Sequence, residues 1–265
     1  MTETKKPCLE ITNLDFSYGE IPALSDISFG VNKGEVLGII GPNGAGKTTL
    51  LKCLLKSAIP KRGSISLLGK PLSEYSSEQL ARLVSYVPQE TTVPFAFTVL
   101  DIVQMGRYPH YSPFESGIKK DPSLIQPILK HTGLSDLKDR SFNELSGGEK
   151  KRVLLARAFA QDSPFLLLDE PGSNLDIKHI SSLLKILLTK QKQKNQTILF
   201  VTHDLNLAMT LANRLILLKR GAIIKKGTPG DTLTLETIRE LYDVSVRIIE
   251  DKDSGAKFFS YRLDT

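Results

Sequence analysis

The stretch Gly41–Thr48 reads GPNGAGKT and places a lysine and a threonine directly after a glycine-rich turn. Its spacing matches G-x-x-x-x-G-K-[ST], in which backbone N–H groups and the start of the following helix bind phosphates. Lys47 would then reach the β- and γ-phosphates, and Thr48 would coordinate Mg²⁺. The apolar segment Glu35–Ile40 precedes the loop and helical spacing follows it, which favours a phosphate-binding loop over a glycine-rich turn without a ligand.

Two carboxylates, Asp169 and Glu170, end a second apolar segment, PFLLLDEP. Ligands of open α/β sheets bind at the carboxyl ends of the strands, so Asp169 is predicted to hold Mg²⁺, directly or through water. Glu170 is predicted to orient and polarise an attacking water. An acidic turn after a strand is the alternative, and it would be the simpler interpretation without the phosphate loop.

A third apolar segment, QTILFVTHD, ends in His203, and Asp204 is a candidate N-cap for the helix that follows. A histidine after a strand is usually structural. We expect His203 at the same sheet edge as the carboxylates, where a contact with the γ-phosphate is favoured.

A second glycine motif, LSGGEKKR at Leu145–Arg152, opens another predicted helix. Gly147 and Gly148 would expose backbone N–H groups there, and the helix dipole favours an anion. Ser146 can cap the helix or donate to a phosphate. The alternative is a helix N-cap with no ligand.

In the rest of the chain, strands are predicted around the phosphate loop, beginning with the alternating segment CLEITNLDFSYG, and helices are predicted in the middle, broken by a loop at YPHYSPFESG. A hairpin is predicted to turn at Arg220–Gly221. The tail from Thr228 is predicted to contain a helix at LETIRELY and two short strand-like stretches. Length is 265 residues, hydrophobic residues make up 40% and charged residues 24%, and the net charge of +6 is spread along the chain. Because no basic stripe with interleaved aromatics is present, we do not expect a nucleic-acid partner. The basic run KQKQKN, Lys190–Asn195, is better explained as a solvated helix end.

Two cysteines form no disulfide framework, and no apolar run approaches the roughly 18 residues of a membrane span. The N-terminus lacks the apolar core of a signal peptide. We therefore expect a soluble, cytoplasmic protein whose membrane role, if any, is exerted through a partner.

Taken together, these motifs closely resemble those of the ATP-binding cassette (ABC) ATPases, in the family's order and over nearly the whole chain. The phosphate loop is similar to the Walker A motif, FLLLDEP to Walker B and LSGGE to the signature. Gln89 in YVPQE resembles the Q-loop, Ser173–Asp176 (SNLD) the D-loop, His203 the switch histidine and Tyr18 the adenine-stacking aromatic. Two positions depart from the common pattern: Glu149 stands where many members have Gln, and Gly172 where many have Thr or Ser. Neither removes a phosphate ligand.

The resemblance implies a set of site residues. ATP would be bound by Tyr18, Gly41, Pro42, Asn43, Gly44, Ala45, Gly46, Lys47, Thr48 and Thr49. Mg²⁺ would be held by Thr48, Gln89 and Asp169, and the catalytic residues would be Glu170, His203 and Gln89. Ser146, Gly147, Gly148 and Glu149 would act in trans, together with Asp176 of the D-loop.

The implied fold is α/β, a RecA-like P-loop NTPase core with an N-terminal antiparallel β subdomain and an inserted helical subdomain. We expect a single domain over 1–265, with the core at about 1–90 and 161–227 and the helical subdomain at about 91–160. A C-terminal extension would then cover about 228–265.

The family dimerises head to tail, so each signature would complete the nucleotide site of the other subunit, which explains the second glycine motif. The expected partners are a second copy of the chain, an integral membrane permease and, indirectly, a substrate-binding protein. The expected location is the cytoplasmic face of the cell membrane.

The stretch Thr98–His110, TVLDIVQMGRYPH, is similar to one found in importer ATPases for iron–siderophore complexes, haem and cobalamin. It lies where the family docks the permease; the alternative is a plain loop of the helical subdomain. A manganese or zinc importer can look alike here. Another ABC transporter, such as an exporter, is a further alternative, and the MGRYPH stretch and the C-terminal tail argue against it. A soluble ABC ATPase acting on DNA or ribosomes usually has two cassettes or long coiled coils, which this chain lacks.

Overall fold

The structure is a computed structural model that describes residues 7–111, 122–173, 175–250 and 257–261. Its strands are β1 (Leu9–Tyr18), β2 (Ile21–Val31), β3 (Val36–Ile40), β4 (Arg62–Leu67), β5 (Lys70–Pro71), β6 (Val84–Val87), β7 (Phe165–Asp169), β8 (Thr197–Thr202), β9 (Arg214–Lys219), β10 (Ala222–Gly227), β11 (Val246–Glu250) and β12 (Lys257–Tyr261). Its α-helices are α1 (Lys47–Leu54), α2 (Ser77–Leu83), α3 (Val99–Met105), α4 (Pro122–His131), α5 (Gly147–Ala160), α6 (Ile177–Lys194), α7 (Leu205–Leu211), α8 (Pro229–Thr232) and α9 (Leu235–Tyr242). Within these ranges, none of the helices has the length and apolar character needed to span a bilayer.

The chain divides into two compact units. The first contains Met1–Glu74 and Ile198–Thr265, and the second contains Tyr75–Thr197. The core and subdomain boundaries expected from the sequence divide the chain differently and stay a prediction.

An antiparallel sheet in the order β2-β1-β4-β5 forms one part of the first unit. Along β1, Leu9 and Ile11 are buried and Glu10 is exposed, the alternation expected of a sheet with one face on the core. Leu9 pairs with Val31 on β2 and with Leu67 on β4. The predicted antiparallel β subdomain is therefore present near the N-terminus.

Parallel strands form the other part of the first unit. β3 lies between β8 and β9 and is parallel to both, and β10 returns antiparallel along β9. All residues of β3 and β8 are buried, because a parallel strand is covered on both faces. The β9–β10 hairpin turns at Arg220 and Gly221, as predicted, and both have positive φ, 48° and 79°.

The C-terminal part of the chain contains helices α8 and α9 and a two-stranded antiparallel hairpin of β11 and β12. Helix α9 coincides with the predicted LETIRELY segment and begins after Thr234, whose side chain accepts from Thr237 N–H. The two short strand-like stretches predicted for the tail are the hairpin.

The second unit consists mainly of helices, with β6 and β7 pairing parallel. Helices α2, α3 and α5 each begin with a capping box, at Ser76, Thr98 and Ser146. Helix α6 ends at Lys194, followed by Asn195 in the left-handed region, so KQKQKN is a helix end as predicted. Of the predicted loop YPHYSPFESG, Tyr108–His110 forms a short 3₁₀ turn, and residues 112–117 lie outside the described residues.

Candidate functional site

The phosphate loop between β3 and α1 has a shape that requires glycine. A β-carbon at residue 41 would lie 2.2 Å from the Leu218 carbonyl oxygen, and one at residue 46 would lie 2.5 Å from that of Ala23. Gly44 and Gly46 also have positive φ, 77° and 101°, where glycine has no steric penalty. These contacts keep the backbone in the conformation that leaves the start of α1 open.

Lys47 is buried at the first position of α1. Its Nζ donates to the carbonyl oxygens of Gly41, at 2.7 Å, and Pro42, at 3.2 Å. A buried ammonium needs such partners because desolvation is costly. The lysine is thus held inside its own loop, close to where a phosphate at the start of α1 would lie.

Tyr18 ends β1 and its ring is half-exposed, with 49% of the residue accessible to solvent. Its hydroxyl lies 3.4 Å from Oγ1 of Thr49 in the first turn of α1. The ring packs edge-on against Phe16, and the Lys52 ammonium lies 5.8 Å from its centroid. The structure therefore brings the predicted stacking aromatic to the helix that follows the phosphate loop.

His203 follows β8 directly and is exposed. Because Ile40 of β3 pairs with Thr202 of β8, His203 and the phosphate loop leave the sheet at the same edge. Asp204 caps α7 by accepting from the N–H groups of Asn206 and Leu207, as predicted. The His203 carbonyl accepts a hydrogen bond of 3.2 Å from the Tyr242 hydroxyl.

In the second unit, Asp169 and Gln89 lie at one edge of the β6–β7 pair. Val87 pairs with Leu168, so the residues after each strand emerge side by side. Asp169 is buried and its Oδ2 accepts a hydrogen bond of 3.3 Å from Tyr86. Burial and, next, the Asp169 charge raise the pKa of Tyr86, which keeps the phenol a donor. Tyr86 was not predicted as a site residue, although it begins the segment YVPQE that contains Gln89.

Glu170 is buried and has a φ of 46°, which is uncommon for a residue with a side chain. Its carbonyl accepts from the N–H of Ser173, at 3.1 Å, and from the Ser173 hydroxyl, at 2.8 Å. The strand therefore ends in a tight turn at the predicted catalytic carboxylate.

Ser146 caps α5, and Glu149 completes the capping box. Glu149 Oε2 accepts from both the N–H and the hydroxyl of Ser146, each at 2.8 Å. These two hydrogen bonds, the hydroxyl's first, hold the pKa of Glu149 below its usual range. The N-cap alternative is thus observed, and Ser146 and Gly147 remain exposed at the helix start. Binding of a phosphate there stays a prediction.

Asp176 caps α6 in the same way, with Oδ1 2.8 Å from the N–H of His179 and 2.7 Å from its Nδ1. The His179 backbone hydrogen bond is the main cause that lowers the pKa of Asp176. Within the D-loop, Asn174 lies outside the described residues. His179 was not predicted as a site residue, because its two contacts with Asp176 are visible only in the structure.

The predicted docking stretch packs on the end of α5. Arg107 Nη1 donates to the Ala160 carbonyl at 2.9 Å, and His110 Nε2 lies 2.6 Å from the Gln161 carbonyl. Cationic side chains suit the carbonyl end of a helix. Arg107 therefore holds the turn in place, and Tyr108 is an exposed aromatic residue of this turn, with 49% of its surface accessible.

The site residues form two groups, one in each unit. The first unit brings Tyr18, the phosphate loop and His203 together, and the second brings Gln89, Asp169 and Glu170 to one strand edge. The signature and the D-loop also lie in the second unit. Their assigned roles in binding and catalysis stay predictions.

Comparisons with known proteins agree with these motifs. A sequence model of the family described as ABC transporter matches residues 24–173. The chain is 36% identical to the ferric enterobactin transport ATP-binding protein FepC of Escherichia coli, over 91% of this chain and 89% of FepC. It is 38% identical to the hemin import ATP-binding protein HmuV of Thermobifida fusca, over 92% and 84%. It is 36% identical to the cobalamin import ATP-binding protein BtuD of Halobacterium salinarum, over 94% of this chain and only 62% of BtuD.

Solved structures support the fold. A chain from an inward-facing ABC transporter assigned to the metal-chelate type has a TM-score of 0.85 and 32% identity, covering 98% of this chain and 99% of that one. The dimeric bacterial ABC transporter cassette MJ0796 has a TM-score of 0.74 and 27% identity, covering 83% and 98%. The predicted α/β cassette fold is therefore confirmed.

Proposed function

Since the chain belongs to the ABC transporter family and carries its ATP-binding domain, an ATPase, we propose that it powers import of an iron chelate, haem or cobalamin. ATP hydrolysis would drive transport through a separate membrane permease. The observation that carries the ATP-dependent part is the buried Lys47 in a loop that has no room for a β-carbon at Gly41 or Gly46. The cargo class is supported by similarity to the enterobactin, hemin and cobalamin proteins over more than nine-tenths of the chain.

In the proposed mechanism, the loop N–H groups and the start of α1 bind the phosphates of ATP. Lys47 exchanges its carbonyl partners for phosphate oxygens, so its buried charge remains compensated throughout. Tyr18 stacks on the adenine with its exposed ring face. Pro42, Asn43, Gly44 and Ala45 form the wall of the loop, and Thr49 orients Tyr18 through its hydroxyl.

Mg²⁺ is the proposed metal because the candidate ligands are all oxygen donors, which this hard cation prefers. They are the Thr48 hydroxyl, the Gln89 side-chain oxygen and the Asp169 carboxylate. When bound, the ion would neutralise charge that develops on the phosphates. Tyr86 fits this assignment, since its hydroxyl donates to one carboxylate oxygen of Asp169 and so orients the carboxylate.

Glu170 is the proposed group that accepts a proton from, or polarises, the attacking water, and His203 the proposed contact to the γ-phosphate. Gln89 would also help to position that water. These three roles need donors and acceptors at the carboxyl ends of strands. Gln89 comes shortly after β6, Glu170 directly after β7 and His203 directly after β8.

Two copies would associate head to tail, with Ser146, Gly147, Gly148 and Glu149 of one copy facing the ATP of the other. The exposed N-terminus of α5 supports this, because it offers N–H groups and a positive dipole to an anion. Asp176 would lie at the same interface. The Ser146 hydroxyl would have to turn from Glu149 toward the phosphate.

The proposed partners outside the dimer are a permease on the cytoplasmic face of the membrane and, indirectly, a substrate-binding protein. Half-exposed Tyr108, on a turn anchored to α5 by Arg107 and His110, is the proposed contact with the permease. A rigid turn presenting one aromatic residue is the kind of anchor that dominates binding energy in protein interfaces.

The test is growth of a deletion strain on a ferric siderophore, haem or cobalamin as the required nutrient, with plasmids carrying the wild type or Lys47→Ala. We expect loss of growth on one of the three, restored only by the wild type. Normal growth on all three, in a strain without redundant uptake systems, would contradict the cargo class. Loss of manganese or zinc uptake instead would favour the alternative importer.

A further inference from the structure

Lys151, in the first turns of α5, is a buried lysine that is not among the proposed ligands of ATP or Mg²⁺. Only 5% of its surface is exposed. Its Nζ lies 3.1 Å from the carbonyl oxygen of Pro88 and 3.3 Å from that of Gln89. It also lies 3.5 Å from the Asp169 carbonyl and 3.3 Å from the Glu170 carbonyl. The three N–H donors of one ammonium are thus shared among four carbonyl groups.

Burial of this charge is costly, as its pKa shows. Desolvation lowers the pKa of Lys151 to about 8, although nearby Asp169, Glu170 and Glu90 act to raise it. An apolar side chain could fill the same space without that cost. The presence of a buried ammonium here is therefore best explained by its hydrogen bonds to carbonyl groups. These carbonyl groups belong to the segments that contain the predicted catalytic residues Gln89 and Glu170.

The hydrogen bond from Lys151 matters most at Glu170, whose backbone conformation is strained. Its φ of 46° is unfavourable for a residue with a β-carbon and persists only when neighbours enforce it. The neighbours are Lys151 and Ser173, which both donate to the Glu170 carbonyl. Because φ and ψ set the direction of the Cα–Cβ bond, the same hydrogen bonds set the direction of the carboxylate.

We propose that Lys151 is a positioning residue for ATP hydrolysis, which fixes the Glu170 carboxylate and the start of the Gln89 loop through their backbone carbonyls. Ser173 assists as the second donor to Glu170. This inference rests on the proposed function, since it presumes that Glu170 acts on the attacking water. Lys151 would thus connect helix α5, which begins at the signature, to the end of β7, where Glu170 lies, within one unit.

The experiment measures kcat for ATP hydrolysis and Kd for ATP in the full chain, for the wild type, Lys151→Met and Lys151→Arg. Methionine keeps the length of the side chain and removes the charge. Misplacement of a catalytic group by about 1 Å can cost about 10²-fold in rate, so we expect a 10- to 100-fold lower kcat in Lys151→Met. The Kd should stay within about twofold, and Lys151→Arg should recover part of the rate.

The matched control is Lys150→Met, the same change at the preceding position, where the ammonium lies 5.8 Å from the Phe142 ring centroid. It should retain kcat within about twofold, because this ammonium lies over an aromatic ring and not against the carbonyl groups of Gln89 and Glu170. A generally destabilised helix would instead lower the melting temperature and weaken ATP binding together with the rate.

A double-mutant cycle with Glu170→Gln, followed by single-turnover kinetics, shows whether Lys151 acts through Glu170. If it does, Lys151→Met slows the Glu170→Gln variant by less than about threefold, far below its effect in the wild type. Multiplicative effects, or an unchanged kcat in Lys151→Met, would overturn the inference. Full turnover in Glu170→Gln would instead refute the proposed function itself.

Ser173→Ala keeps the inference testable if Lys151 variants fail to fold. It removes one donor to the Glu170 carbonyl and leaves the ammonium in place. We expect a several-fold lower kcat with unchanged Kd, because one of the hydrogen bonds that hold the turn is lost. An unchanged kcat in Ser173→Ala, with Lys151 variants unfolded, would also overturn the inference.

Discussion

The imidazole ring of His179 lies directly against Gly148, so a β-carbon at residue 148 would come within 2.9 Å of the ring Cγ. The ring is held there by Asp176, whose Oδ1 lies 2.7 Å from Nδ1. The starts of α5 and α6 are thus in contact through one histidine. This packing leaves no room for a side chain at Gly148.

Gly148→Ala should therefore displace His179 and disturb both the signature and the D-loop. We expect about a tenfold loss of ATPase activity, and partial recovery when His179→Ala is added, because the smaller side chain removes the clash. Gly230→Ala is the control, since a β-carbon there meets nothing within 4 Å. A double variant as impaired as Gly148→Ala alone would show that the clash is not the cause.

Features encoded by consecutive residues were predictable from the sequence. The phosphate loop, the end of β7 and the cap of α5 each depend on a short run of residues with a definite chemistry. Helix α2 was not predicted, because its seven residues span only two turns and show little periodicity. Strand β2 was not predicted either, although its partner strand β1 was, because apolar and polar residues do not alternate along its first half, IPALSD.

Contacts between distant parts of the chain were not predictable. Tyr86 and Asp169 are 83 positions apart, and Lys151 and Pro88 are 63 apart. These residues come into contact because β6 and β7 pair with each other, and no local sequence pattern predicts that pairing. Arg107 lies in the stretch for which the sequence suggested a docking role. In the structure its side chain instead donates a hydrogen bond to the Ala160 carbonyl at the end of α5.

Tyr86→Phe should weaken the response to Mg²⁺. The phenol hydroxyl orients Asp169, and loss of such an outer-shell partner typically lowers metal affinity by about tenfold or more. We expect the Mg²⁺ concentration for half-maximal ATPase activity to rise by about that factor, while the ring packing is kept. Tyr108→Phe is the control. Identical Mg²⁺ titrations for Tyr86→Phe and the wild type would argue against this role.

Tyr108→Ala should separate ATP hydrolysis from transport. The residue is half-exposed on a turn anchored by neighbouring side chains, so its loss removes a contact surface and little internal packing. We expect normal ATPase activity of the isolated chain and clearly reduced uptake in cells. Ile59→Ala, at an exposed apolar residue of the first unit, should leave both unchanged. Normal uptake with Tyr108→Ala would remove this residue from the permease contact.

Mixing two inactive variants tests whether the signature acts in trans. Lys47→Ala lacks the phosphate-loop lysine and keeps the signature, and Ser146→Arg has the opposite defect. A mixed dimer contains one composite site with both intact parts, so it should recover some ATPase activity or at least ATP-dependent dimerisation. If neither returns while labelled chains exchange freely, α5 begins with a simple cap and does not complete a neighbour's site.

Glu170→Gln, compared with Glu149→Gln, is the most direct test of the central claim that this chain hydrolyses ATP at the end of β7. Both variants replace one carboxylate by its amide; the one at residue 149 restores the residue that many relatives have. Steady-state kcat, ATP affinity and dimerisation with ATP are measured for each. The account predicts that Glu170→Gln binds ATP normally, loses about 10²- to 10⁴-fold in kcat and accumulates as an ATP-bound dimer, while Glu149→Gln turns over near the wild-type rate. Near-normal hydrolysis by Glu170→Gln would contradict it.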